Sequence, residues 1–126
     1  MSYKTDYKAV AGLGSAKEGT SHFVSQRLTA IALIVLVPLF LYPFTQALGA
    51  GHMAVIAIYQ QPFNALVAIG VFLVGFRHLR LGLQVVVEDY VHSERRRMIL
   101  LIANALIWRA CALAGAFAVV KIALSA

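Results

Sequence analysis

From Thr29 to Leu48 the chain is almost continuously apolar, and no other feature limits its fold as strongly. About 20 helical residues rise about 30 Å, the thickness of a bilayer's hydrocarbon core. The stretch therefore reads as a transmembrane helix. Pro38 and Pro43 fall inside it. Each removes a backbone donor, which predicts a kink that neighbouring helices accommodate. Gly49-Ala50-Gly51 ends the run.

Two further segments repeat the pattern. Pro62 suits the first turn of a helix, and the apolar stretch from about Phe63 to about Val91 is longer than a bilayer core requires, so it tilts or projects. After the charged turn Ser93-Glu94-Arg95-Arg96-Arg97, Met98 to about Leu124 supplies a third segment. The expected fold is an all-α membrane protein of one domain. Its spans cover about residues 27–49, 63–91 and 97–124, with a non-membrane arm over 1–21 and a short connection over 50–61.

Composition agrees: 61% hydrophobic and 13% charged residues in a chain of 126 are wrong for a small soluble globule. The net charge of +6 does not indicate nucleic acid, because the basic residues flank apolar segments instead of covering a polar face. They read as topology signals and contacts to phospholipid headgroups. Lysine and arginine gather in the N-terminal arm and in the loop between spans two and three, while residues 50–61 have none. The positive-inside rule then puts the N-terminus in the cytoplasm and the C-terminus outside. The arm shows neither a signal peptide nor a transit peptide, which favours a bacterial inner membrane over a mitochondrial one. The single cysteine, Cys111, supports no internal disulfide, redox pair or iron-sulfur site and reads as a small packing residue.

Chemistry concentrates between His78 and His92. An ionisable residue at membrane depth is costly and is a functional candidate by default. His78 lies about 24 Å along the helix from Pro62 and about 18 Å short of Tyr90, near mid-membrane. Asp89 follows eleven residues later, which returns it to the same helix face about 16 Å away. Gly75 and Gly82 fall close to that face, where a flat group could approach the backbone. These features point to an axial haem ligand. The competing reading is a neutral histidine hydrogen-bonded to a neighbouring helix. A six-coordinate haem b needs a second ligand, and His22, His52 and His92 all lie near interfaces or in loops, so that ligand must come from another chain.

Arg77, Arg80, Gln84 and Glu88 make a second polar stripe about 100° round from His78. It either packs on a partner subunit or turns to cofactor carboxylates, with snorkelling as the weaker alternative. Arg109, deep in the third span beside Trp108, poses the same problem without a visible counter-charge. Asp89 and Tyr90 sit where a lipid-soluble quinone would present its head. A tyrosine hydroxyl can donate to a quinone oxygen, and a carboxylate can orient an arginine or relay a proton. Such a pair is otherwise an interfacial anchor. Before the first span, Ser21-His22-Phe23-Val24-Ser25-Gln26-Arg27 reads equally as capping with a snorkelling arginine or as a site for an anionic ligand.

The chain resembles the D-type hydrophobic membrane anchors of succinate dehydrogenase, respiratory complex II, over nearly its whole length. The resemblance is carried by Gly14-Ser15-Ala16-Lys17-Glu18-Gly19-Thr20, by His22-Phe23 running into Gln26-Arg27-Leu28-Thr29-Ala30, and most specifically by His78-Leu79-x-Leu81-Gly82-Leu83-Gln84-Val85-Val86-x-Glu88-Asp89-Tyr90-Val91-His92. It implies that His78 is an axial ligand of haem b, with the other ligand from a C-type cytochrome b anchor subunit packed into the same helix bundle. It further implies haem contacts from His22 and Arg27, and a ubiquinone site containing Tyr90 and Asp89. Partner flavoprotein and iron-sulfur subunits would oxidise succinate and deliver the electrons. On that reading the chain is non-catalytic alone. The competing functions are an anchor of another quinone-linked oxidoreductase and a non-redox membrane scaffold.

Overall fold

The computed structural model describes residues 18–125 together with Thr5 and Tyr7. Apart from those two, the arm expected over 1–21 lies outside the described residues up to residue 17. The described residues form four helices: α1 (Glu18–Ala47), α2 (His52–Gln60), α3 (Pro62–Tyr90) and α4 (Glu94–Ala123). Three of them, α1, α3 and α4, are long and apolar enough to cross a membrane.

Two boundaries differ from the sequence reading. Helix α1 starts at Glu18, so the polar segment before the first span continues the membrane helix instead of ending an arm. The connection over 50–61 is mostly helical, as α2. Its nine residues are largely apolar but too few to span, and no turn residue interrupts them between Gly51 and Pro62. Hydropathy marks only segments of spanning length, so a short helix lying between two of them leaves no separate signal.

Local chemistry fixes the ends. Gly49 has φ +76°, a left-handed conformation that glycine adopts without a Cβ penalty, and it closes α1. Helix α1 continues through Pro38 and Pro43, and Pro43 is fully buried. Pro62 occupies the first turn of α3, where a missing N–H costs nothing. Asn64 donates from Nδ2 to the Ile58 carbonyl, 2.9 Å away, which satisfies an acceptor in the last turn of α2. Gln60 donates to the backbone carbonyl of Ser125 and so ties α2 to the end of α4.

Helix α3 lies between α1 and α4, whose backbones do not approach each other closely. Against α1 it forms an antiparallel ladder of small against larger groups. Gly70 faces Leu36, Gly75 faces Leu33 and Gly82 faces the Gln26 amide. On the other side Gly115 of α4 faces Phe72, and Phe76 stacks on Trp108 at 5.6 Å. Small residues that let helices approach closely are the usual packing device where lipid offers no hydrophobic drive. The central cluster of Ala65, Ala68 and Val119, flanked by Phe40, Tyr59 and Phe72, follows that rule. Outward-facing residues such as Ile34, Leu66, Leu106 and Phe117 are exposed, as lipid or partner helices require.

Candidate functional site

His78 is half-buried at the α1–α3 interface. Its Nδ1 lies 2.9 Å from Oγ1 of Thr29, which is buried. The same hydroxyl is 2.9 Å from the Ser25 carbonyl and 3.0 Å from the Gln26 carbonyl. Both carbonyls can only accept, and the hydroxyl has one proton to give. When that proton goes to the backbone, an oxygen lone pair is left for an N–H of His78. The imidazole proton on Nδ1 and a lone pair on Nε2 are the tautomer that matches this pairing. Among the described residues Nε2 has no hydrogen-bond partner.

An added Cβ at Gly75 would meet Leu33 at 3.9 Å and one at Gly82 the Gln26 amide at 3.6 Å, both ordinary contact distances. Gly75 also borders an apolar cavity of 230 Å³ with Val71, Phe72, Phe76 and Leu79.

Towards the end of α3 where the charged residues lie, a polar cavity of 530 Å³ opens between α1 and α3. His22, Ser25, Arg80, Gln84 and Glu88 line it. Nε2 of His22 and Nε of Arg80 are buried there without hydrogen-bond partners, while Gln84 donates to Glu88 at 2.9 Å. A second cavity, of 320 Å³, lies between α3 and α4 and gathers Arg77, Arg80, Arg109, Phe76 and Trp108. The polar stripe of α3 is therefore split, with Gln84 and Glu88 on one cavity, Arg77 on the other and Arg80 on both.

The remaining sequence candidates stand apart. Arg27 is exposed, its guanidinium carbon 4.9 Å from the Phe23 ring centre, and it does not line the cavity that holds His22. Five residues turn a helix by about 140° beyond one full turn, so the two point to different sides. Asp89 and Tyr90 are exposed at the end of α3, with Tyr90 at 78% of its full accessibility. This chain supplies no enclosing wall for them among the described residues.

Two functional groups were missed in the sequence. Thr29 read only as the start of an apolar run, although a hydroxyl at that depth was a visible partner for His78. Asn104 is buried and donates to the Arg80 carbonyl at 3.0 Å, bridging α4 to α3. Its signal was an isolated amide within an apolar span.

No group of three or more His, Cys, Asp or Glu gathers among the described residues, so a metal held only by side chains has no cage there. A lone histidine with a free Nε2 suits a metal whose other ligands arrive with a prosthetic group. In that limited sense the residues fit a haem.

Fold and contents together define a multi-pass helical membrane subunit whose polar groups at depth are incompletely enclosed by its own helices. The profile of the family described as succinate dehydrogenase/fumarate reductase transmembrane subunit matches residues 1–119. The chain belongs to that family. It is 33% identical over 126 residues to the succinate dehydrogenase hydrophobic membrane anchor subunit of Paracoccus denitrificans, covering 100% of this chain and 97% of that one. It is also 33% identical over 102 residues to the protein of the same description from Rickettsia bellii, covering 80% and 81%. No solved structure matches it. Within the family the chain is a membrane-anchor subunit of the succinate dehydrogenase type.

Proposed function

We propose that this anchor contributes one axial ligand, His78, to a haem b shared with a C-type cytochrome b anchor subunit, and part of a ubiquinone site through Tyr90 and Asp89. The observation that carries the haem reading is the Nε2 of His78, which no group among the described residues engages while Thr29 holds Nδ1. Metal-bound histidines usually donate their second ring N–H to an acceptor, which fixes the tautomer and raises the basicity of the ligating nitrogen. Thr29 is that acceptor here, and Nε2 is the nitrogen left for iron.

A bound haem would supply a one-electron store. His78 would hold it, and His22 at the α1–α3 cavity and Arg27 on the exposed face of α1 would be the groups offered to its carboxylates. Tyr90 donates its hydroxyl proton in a hydrogen bond to a quinone oxygen. Asp89 accepts one from a group that orients the head. Both are exposed at the end of α3, so iron-sulfur and anchor subunits complete the pocket. Electrons reach it from succinate through the flavoprotein and iron-sulfur subunits. The chain sits in a bacterial cell inner membrane, N-terminus cytoplasmic and C-terminus periplasmic, following the distribution of its basic residues.

The test is the reduced-minus-oxidised optical spectrum of the detergent-purified native assembly, with His78→Ala prepared alongside. A b-type spectrum lost or shifted in the variant is the expected result. A spectrum identical in both removes His78 from the iron.

A further inference from the structure

Three arginines share one cavity at the middle of the membrane spans. Arg77, Arg80 and Arg109 border the 320 Å³ space between α3 and α4, on a floor made by the stacked rings of Phe76 and Trp108. Their depth follows from the antiparallel register of the two helices, set by the Asn104–Arg80 hydrogen bond and by Gly115 against Phe72. Arg77 is about 20 Å along the axis from Tyr90, and Arg109 is about 22 Å from Glu94. Charges at such depth are costly, and three like charges around one space repel.

No acid among the described residues reaches them. Glu88 lies about 12 Å along α3 from Arg80 and about 16 Å from Arg77, and its carboxylate is already engaged by Gln84. Asp89 and Glu94 lie farther still towards the same end. Nothing among the described residues supplies the compensating charge. A phospholipid phosphate stays in the headgroup layer, about 15 Å from the bilayer centre, too far for groups facing a common cavity at mid-span. A carboxylate of a His78-bound cofactor is disfavoured by direction. His78 turns towards Thr29 on α1, whereas Arg77 and Arg80 lie about 100° and about 160° round the helix from it.

We infer that the α3–α4 groove is the docking site for a transmembrane helix of a partner subunit that carries an aspartate or glutamate at mid-membrane depth. The carboxylate enters the arginine cavity, and the helix covers the exposed apolar rim around Leu73. Charge complementarity selects the partner, because a purely apolar helix would leave three guanidinium groups unpaired. The inference rests on the chain working beside another membrane subunit and is independent of haem.

The test places p-benzoyl-phenylalanine at position 73 in the native complex, in membranes, and identifies the photoadduct by peptide mass spectrometry. An adduct to a partner's membrane span with an aspartate or glutamate within one turn is expected. Adducts to lipid alone, to an acid-free span, or to no protein overturn the inference. A second arm uses Arg109→Gln, for which recovery of the partner on the affinity-tagged chain should fall at least tenfold. Arg109→Lys should keep most of it. Neutralising the identified carboxylate should restore recovery in Arg109→Gln, a rescue that general misfolding would not show. Unchanged recovery in Arg109→Gln, or no rescue, overturns the inference. The haem spectrum of the same preparations reports separately on the proposed cofactor.

Discussion

Oγ1 of Thr29 lies 2.9 Å from Nδ1 of His78, across the interface between the first and the third helix. With its own proton given to a backbone carbonyl one turn earlier, the hydroxyl can accept from the imidazole. Thr29→Val keeps the shape and removes the acceptor. With haem bound, the ligating nitrogen becomes less basic and stabilises oxidised iron less well. The midpoint potential should rise by about 20–60 mV, the equivalent of one hydrogen bond of about 0.5–1.5 kcal/mol. Thr29→Ser should leave it near the wild-type value. Redox titration of the haem band checks both, and an unshifted Thr29→Val would show that the hydrogen bond does not reach the iron.

Gly115 permits the closest approach among the described glycines. A Cβ built there falls 2.4 Å from the Phe72 ring, so Gly115→Ala forces the ring or the helix to move. Overpacking of this kind costs about 1–3 kcal/mol. Thermal unfolding of the purified complex should begin at lower temperature, and Phe72→Leu in the same chain should recover most of the loss. Failure of the double variant to recover would mean that the backbone, and not the ring, sets the helix separation.

Much of this architecture was legible because lipid imposes a simple rule: apolar runs of spanning length must be helices. The three long helices follow from it directly. The short helix α2 does not, since nine largely apolar residues satisfy neither the spanning length nor an amphipathic pattern. The candidate site was legible by halves. His78 stood out because a histidine at depth is costly, whereas Thr29 and Asn104 are cheap enough in a helix to pass as filler. The pairing of α1 with α3 is a tertiary fact, and a periodicity within one helix carries no information about which residue of another helix lies opposite. The same limit explains why the α3 arginines read as one stripe with Gln84 and Glu88, when contact with α4 divides them.

Asn104→Leu tests the link between α3 and α4. The substitution removes the donor to the Arg80 carbonyl and leaves that acceptor with only its helical partner. Interhelical side-chain hydrogen bonds in membranes contribute about 0.6 kcal/mol on average and up to about 1.7 kcal/mol. A destabilisation in that range is expected from steric-trap or denaturant unfolding of the complex in detergent. A stabilised variant would show that the buried and unpaired Oδ1 of Asn104 costs more than its Nδ2 contributes.

Tyr90→Phe separates quinone binding from haem and from assembly. The ring stays exposed at the end of α3, so neither helix packing nor the His78 environment should change. Loss of one hydrogen bond of about 0.5–1.5 kcal/mol corresponds to about a 2- to 12-fold weaker hold on the quinone. The KM for a short-chain ubiquinone should rise by about that factor. Succinate oxidation measured with a water-soluble dye that takes electrons before the membrane should be unaffected, and so should the haem spectrum. An equal loss with dye and quinone would place the defect in docking of the catalytic subunits, and an unchanged KM would remove the Tyr90 hydroxyl from the quinone site.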